Sequence, residues 1–148
     1  MSCQNGCLTC IPYELSLLPH VMNINFRKNY IMVVPDHIWN LERLKQLWLD
    51  NNYITQIQFA QKRLDSLQTL CLCNNQIILF PDSIIGLRNL NELFLKGNKG
   101  LILSERTTLP HNLEYLDLSE TDIEKPPASF YEHPKLSVSL DSGLFRSW

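Results

Sequence analysis

The sequence lacks the features that would place it in several large classes of protein. No window approaches the roughly 18 apolar residues that a membrane-spanning helix needs. The N-terminal stretch MSCQNGCLTC has neither the basic region nor the apolar core of a secretory signal peptide, and Ser2 stands where N-myristoylation requires glycine. The formal net charge is only −2, which gives no electrostatic support to a nucleic-acid partner. We therefore expect neither a membrane segment nor a membrane or nucleic-acid partner.

Glycine is also scarce, with five residues among 148, while 45% of the residues are hydrophobic. This balance argues against disorder and predicts a packed chain. The length is that of one domain.

Cysteine is present, but its pattern argues against a disulfide framework. The five cysteines are an odd number, and the sequence has no C-terminal group of cysteines to match Cys3, Cys7 and Cys10. Cys71 and Cys73 lie two residues apart on one predicted strand. At about 3.3 Å per residue they are about 7 Å apart, which is too far for a disulfide, since its Cβ atoms lie about 3.8 Å apart. We expect free surface thiols and a reducing, cytoplasmic location. Because the N-terminal cysteines supply three zinc ligands without an evident fourth, no metal site or cofactor is predicted.

An apolar skeleton returns five times with a period of 23 residues. Its first positions are Val21, Leu44, Leu67, Leu90 and Leu113. Apolar residues follow each start three and five places later, and a polar residue follows after eight. The polar residues are Asn29, Asn52, Asn75, Asn98 and Thr121. A unit this short cannot bury its own apolar face, so successive coils must stack around one continuous core.

The segments LKQLWLDNNYI, LQTLCLCNNQI, LNELFLKGNKG and LEYLDLSETDI resemble the leucine-rich repeat family, and the resemblance covers about residues 8–140. Prolines after apolar residues, at Pro12, Pro35, Pro81 and Pro127, are similar to those of its 23-residue intracellular type. The resemblance implies an α/β fold, a right-handed horseshoe solenoid with a concave parallel sheet and a convex side of loops and short 3₁₀ or α turns. We predict a single domain over 1–148, with a partial N-terminal coil over 1–20 and a C-terminal cap over 136–148.

Strands are predicted near 24–26, 47–49, 70–72, 93–95 and 116–118, because side chains alternate between the two faces of a strand. The family resemblance implies that the four asparagines form a ladder bonding the backbone of their own and the adjacent coil, and that Thr121 weakens it. The coil from Leu90 lacks the proline and should have a looser outer side. After Leu136, Val138 and Leu140 can serve the core if the register slips.

The predicted partner-binding residues share outward strand positions or flank them. They are Arg27, Trp48, Asp50, Cys71, Cys73, Phe94, Lys96, Tyr115 and Asp117. Outward aromatic residues have no core to fill and are typical of interfaces. The alternative is that Trp48 and Phe94 only pack across Cys71 and stiffen the sheet.

The four histidines lie in return segments, where none can activate Cys71 or Cys73, so no catalytic residue is predicted. The sequence predicts a non-catalytic, monomeric module that binds another protein on its concave sheet. The resemblance extends to repeat domains of bacterial effectors delivered into a host-cell cytosol, and alternatively to intracellular scaffold or signalling adaptors. A thiol-dependent enzyme and a self-associating structural protein are the remaining classes. Gln61, on the outer side, is expected to take no part in binding.

Overall fold

The computed structural model describes residues 1–59, 64–141 and 143–146. Gln61, and residues 142, 147 and 148 of the predicted cap, lie outside this part of the chain. Seven strands form one sheet in sequence order. They are β1 (Asn23–Asn25), β2 (Gln46–Trp48), β3 (Thr69–Cys71), β4 (Glu92–Phe94), β5 (Tyr115–Asp117), β6 (Ser137–Leu140) and β7 (Gly143–Arg146). Strands β1 to β6 are parallel, and β7 returns antiparallel to β6. The predicted repeat solenoid with a parallel sheet is confirmed.

Each of the five repeat strands begins one residue earlier than the sequence pattern predicted. The central residues pair in one row, Ile24 with Leu47, Leu70, Leu93 and Leu116 in turn. The ladder of backbone bonds still continues past each strand, as where Leu49 donates its N–H to the carbonyl of Cys71. The difference is therefore one of boundary and leaves the register of the repeats unchanged.

The core follows the apolar skeleton along the whole array. All ten apolar residues that lie three and five places after a repeat start are at most 1% exposed. After Leu136 the register does slip by one residue, since Leu116 pairs with Val138 only 22 positions later, and Val138 and Leu140 are buried as expected. Strand β6 thus covers the apolar end of the repeat stack.

Short 3₁₀ helices form the outer side of four coils, each immediately after a proline. They are Tyr13–Leu17, Asp36–Asn40, Asp82–Gly86 and Ala128–Glu132. Proline suits this place because its fixed φ begins a helical turn and its missing N–H would have had no partner there. The coil from Leu90 has instead a turn closed by Thr107, which bonds Ser104 through both its N–H and its hydroxyl. No helix among the described residues is long and apolar enough to span a bilayer.

The asparagines join each coil to the one before it. The Asn75 side-chain amide donates to the carbonyls of Leu72 and Cys73 in its own coil and of Leu49 in the preceding coil, at 3.0–3.2 Å. Its Oδ1 accepts the N–H of Ile54, also in the preceding coil. Asn29, Asn52 and Asn98 make corresponding bonds.

Thr121 departs from this arrangement. Its hydroxyl donates to Leu118 at 2.6 Å and accepts from the N–H of Ile123 at 3.3 Å, both within its own coil. Threonine has one donor where the asparagine amide has two, and its side chain is shorter. The side-chain link to the preceding coil is thus replaced by a local one.

The N-terminal coil is more complete than the predicted partial coil. Ser2 forms a parallel bridge with Asn25, and the N–H of Asn25 donates to the carbonyl of Met1. Gly6 takes the place of a ladder residue, and a Cβ there would lie 2.8 Å from the Asn29 Oδ1. The sequence signal was Gly6 itself, 23 residues before Asn29, but the apolar skeleton is too weak here to reveal a strand.

The residue before each ladder position has a positive φ, between 52° and 76°. These residues are Asn5, Lys28, Asn51, Asn74, Gly97 and Glu120. Asparagine and glycine tolerate this left-handed conformation, whereas lysine and glutamate are strained in it.

We expect Lys28→Gly to raise the free energy of unfolding by up to about 1 kcal/mol, because glycine relieves this strain. Urea titration followed by circular dichroism measures the change. The matched control is Lys45→Gly, at a position without positive φ, which should lower stability by about 0.5–1 kcal/mol. Destabilisation by Lys28→Gly would show that its backbone conformation carries no strain.

Candidate functional site

Parallel pairing in register arranges the side chains that point away from the core into columns across the sheet. We call this surface the concave face. The central column contains Asn25, Trp48, Cys71, Phe94 and Asp117. Beside it lie Asn23, Gln46, Thr69, Glu92 and Tyr115. The third column follows the strand ends and contains Arg27, Asp50, Cys73, Lys96 and Ser119. The structure therefore brings all nine predicted partner-binding residues onto one face.

Arg27, Trp48 and Asp50 form a cluster at one end of the concave face. The Arg27 Nε donates to the Asp50 carboxylate at 2.7 Å, and the guanidinium carbon lies 4.0 Å from the centroid of the Trp48 ring. Burial works to lower the pKa of Arg27, but the hydrogen bond and charge of Asp50 outweigh it, so the pKa of Arg27 is raised. The cluster holds the half-buried Trp48 ring in place while leaving part of it open to solvent.

A second aromatic pair lies further along the sheet. The Phe94 and Tyr115 rings have centroids 5.5 Å apart and are tilted by 53°, and both are half-buried. Near them, the Lys96 ammonium lies 3.1 Å from the Glu120 carboxylate, and the hydrogen bond to Glu120 raises the pKa of Lys96. The Asp117 carboxylate accepts bonds from the N–H and hydroxyl of Ser119. Most charges of this region are therefore already paired within the chain.

The prediction that Cys71 is exposed is wrong, because the residue is only 5% exposed. Its register neighbours are Trp48 and Phe94, and the two large rings flank a small thiol. Thr69 in the next column is buried too, and its hydroxyl donates to the Glu92 carboxylate. Cys71 is therefore part of the floor of the concave face and cannot serve as an exposed contact.

The thiols of Cys71, the last residue of β3, and of Cys73, two residues beyond it, are much closer than the strand spacing suggested. The Cys71 and Cys73 sulfurs lie 3.6 Å apart, and the Cys71 thiol donates to Cys73. Accepting this bond lowers the pKa of Cys73. Donating the bond raises the pKa of Cys71, and burial of that thiol raises it further. The strand spacing describes the backbone, whereas side chains on one face can lean together. Both cysteines are free, as are the exposed Cys3, Cys7 and Cys10.

Two histidines have structural hydrogen bonds in the return segments. The ring Nε2 of His37 is 3.1 Å from the carbonyl oxygen of Pro12, and that of His133 is 2.9 Å from the carbonyl oxygen of Pro110. Both contacts join a coil to the preceding one. Among the residues that the structure describes, no group of three or more His, Cys, Asp or Glu side chains could hold a metal ion.

Sequence reasoning missed an aromatic feature at the edge of the sheet. The exposed Tyr30 and Tyr53 rings are stacked, with centroids 5.8 Å apart and planes within 8°. They border a polar depression lined also by Asn51 and Asn74. The signal was available, because each tyrosine directly follows a ladder asparagine with the same 23-residue spacing.

Comparison with known proteins identifies the repeats. Residues 66–87 and 112–132 match the family model described as Leucine Rich Repeat. No curated protein matches the chain.

The solved structures that share its fold include the following three. An internalin from Listeria monocytogenes is 21% identical over 93% of this chain and 41% of its own, with a TM-score of 0.77. A leucine-rich-repeat protein from Leptospira interrogans is 28% identical, and the match covers 91% of this chain and 41% of that protein, with a TM-score of 0.70. The plant peptide hormone receptor RGFR1, in complex with RGF2, is 25% identical, and the match covers 95% of this chain and 26% of the receptor chain, with a TM-score of 0.73. The chain thus spans less than half the length of each. Its repeating sequence, its sheet and these similarities together show a solenoid of leucine-rich repeats.

Proposed function

We propose that this chain is a non-catalytic module that binds another protein on its concave face. The observation that carries the proposal is the arrangement of Trp48, Phe94 and Tyr115, which are half-exposed on the open side of the sheet. Leucines fill the core on the other side of the same strands, so packing of the core does not require aromatic residues here. Aromatic side chains and arginine are enriched in interface hot spots.

The contacts around Trp48 favour binding over a purely stiffening role. Trp48 lies beside Cys71 in the register of the sheet and also under the Arg27 guanidinium, which Asp50 holds in turn. This arrangement fixes the ring before any partner arrives, so little side-chain entropy remains to be lost on binding.

The internal ion pairs indicate what kind of contact the partner makes. Arg27 is paired with Asp50 and Lys96 with Glu120, so the charges of these four residues are largely neutralised locally. The surface left for a partner is an aromatic strip between paired charges. We infer that apolar side chains of the partner cover this strip and that polar groups meet its borders.

Similar structures support a protein or peptide ligand. The solved structure of RGFR1 is a complex of a peptide hormone receptor with RGF2. The role as an effector in a host cytosol, and the alternative of an intracellular scaffold or adaptor, stay predictions from the sequence, as does the cytoplasmic location. A monomeric state is part of the proposal, because the concave face is then free for the partner.

Affinity capture with the immobilised chain, followed by titration of the captured protein, tests the proposal. We expect Trp48→Ala and Phe94→Ala each to weaken binding by about 2 kcal/mol or more. The loss of thermal stability should stay near 1 kcal/mol or below, since the rings are not in the core.

The matched control is Ile85→Ala, which removes an exposed apolar side chain from the 3₁₀ helix Asp82–Gly86 on the outer side. It should leave the affinity unchanged. Unaltered binding by both concave variants, or a loss caused by Ile85→Ala, would move the site away from the concave face.

A further inference from the structure

Cys71 and Cys73 form a pair of thiols that the binding proposal does not use. Their sulfurs are 3.6 Å apart and connected by a hydrogen bond from Cys71. Cys71 is buried in the floor of the concave face, whereas Cys73 is half-buried. The pair therefore has one fixed sulfur and one that solvent can reach.

The number of ligands limits which ions this pair could hold. Among the described residues no third Cys, His, Asp or Glu completes a metal-binding group here. Zinc in structural sites takes four protein ligands, and hard cations such as Mg²⁺ and Ca²⁺ prefer oxygen. Thiolates select soft ions, and Cu(I) is a soft ion that two sulfurs alone can hold.

We propose that Cys71 and Cys73 form a two-thiolate site for Cu(I). Metal–sulfur bonds of about 2.3 Å allow one ion to join sulfurs up to about 4.6 Å apart, so the observed spacing lies within reach. Full opening of the pair needs a shift of about 1 Å, which the half-buried Cys73 can make. Two thiols lose their protons on binding, and the ion with two thiolates carries a net charge of −1.

The charges around the two sulfurs are of both signs. Arg27 interacts with Cys71, and the Lys96 ammonium interacts electrostatically with Cys73. The carboxylates of Asp50 and Asp117 oppose them, but Asp50 is bonded to Arg27 and Asp117 to Ser119. Each thiol therefore interacts with one cation and with at least one carboxylate, and burial opposes the loss of the Cys71 proton, so the two metal–sulfur bonds must offset this cost.

The test uses the full chain with Cys3→Ser, Cys7→Ser and Cys10→Ser, because those exposed thiols would bind soft ions themselves. Cu(I) is titrated without oxygen against a coloured Cu(I) chelator, and the oligomeric state is followed by light scattering. We expect one Cu(I) per monomer and no retention of Zn²⁺ after desalting. Adding Cys73→Ser should abolish binding in competition with the chelator, while circular dichroism shows an unchanged fold.

Cys71→Ser should have the same effect on binding. Cys73→Ser decides the result by itself if Cys71→Ser, at a buried position, fails to fold. Retention of one Cu(I) per chain by the Cys73→Ser protein would overturn the proposal. One ion shared between two chains, or no competition with the chelator before Cys73 is replaced, would overturn it as well.

Discussion

Replacement of Leu70 by alanine is expected to lower the free energy of unfolding by about 2–5 kcal/mol. Leu70 is the central residue of β3 and is 0% exposed. It lies in register between Leu47 and Leu93, so the cavity left by its side chain would open in the middle of the array. Neighbouring leucines are held by their own strands and cannot move far enough to fill the space. Urea titration of the variant and the unaltered chain measures the difference.

The matched control is Leu79→Ala, the same substitution at a residue that is 65% exposed. Leu79 takes part in an isolated bridge to Ile102, which needs only its backbone. Its loss of stability should be within about 0.5 kcal/mol, as for most surface substitutions. If the two variants lose similar stability, the apolar skeleton is not the main source of stability in this fold.

Replacement of Asn75 by alanine is expected to cost about 1–3 kcal/mol. The side chain satisfies three carbonyls and one N–H, and it is buried, so water cannot easily take its place. Two of these four partners, Leu49 and Ile54, belong to the preceding coil. The substitution therefore leaves polar backbone groups of two coils unpaired.

Thr121→Ala should cost less than Asn75→Ala, because the Thr121 hydroxyl makes two bonds and both stay within its coil. Asn112→Ala is the matched control for the loss of an amide, since Asn112 is exposed and its amide bonds the Arg88 carbonyl. It should change stability by about 0.5 kcal/mol or less. Equal losses at positions 75 and 121 would contradict the role assigned to the asparagine bonds.

The period of 23 residues predicted the architecture because a core shared between coils requires apolar residues at fixed places. It located each strand to within one residue and explained the switch to Val138 and Leu140, since burial alone selects those side chains. Proline accounts for the places of the outer 3₁₀ helices, because its effect on the backbone is local. The antiparallel β7 was missed, as a short terminal strand repeats nothing earlier in the sequence.

The candidate site was less predictable because it depends on how neighbouring side chains pack. Alternation along a strand identified the face on which Trp48 and Cys71 lie. It could not show that Cys71 is buried, nor that the sulfurs of Cys71 and Cys73 lie 3.6 Å apart. Both depend on side-chain rotamers and on neighbours one coil away, which strand spacing does not specify.

The local bonding of Thr121 has a consequence for how the array unfolds. In a stack where each unit contacts only its neighbours, cooperative unfolding depends on the interface terms between adjacent units. The backbone bonds of the sheet continue from β4 to β5, and His133 and Lys96 still make side-chain contacts across this boundary, but the asparagine bonds that link the earlier coils are missing here. The boundary is thus the place where a two-state transition would first divide in two. The slope of the urea titrations described above carries this information, because a divided transition lowers the apparent m-value.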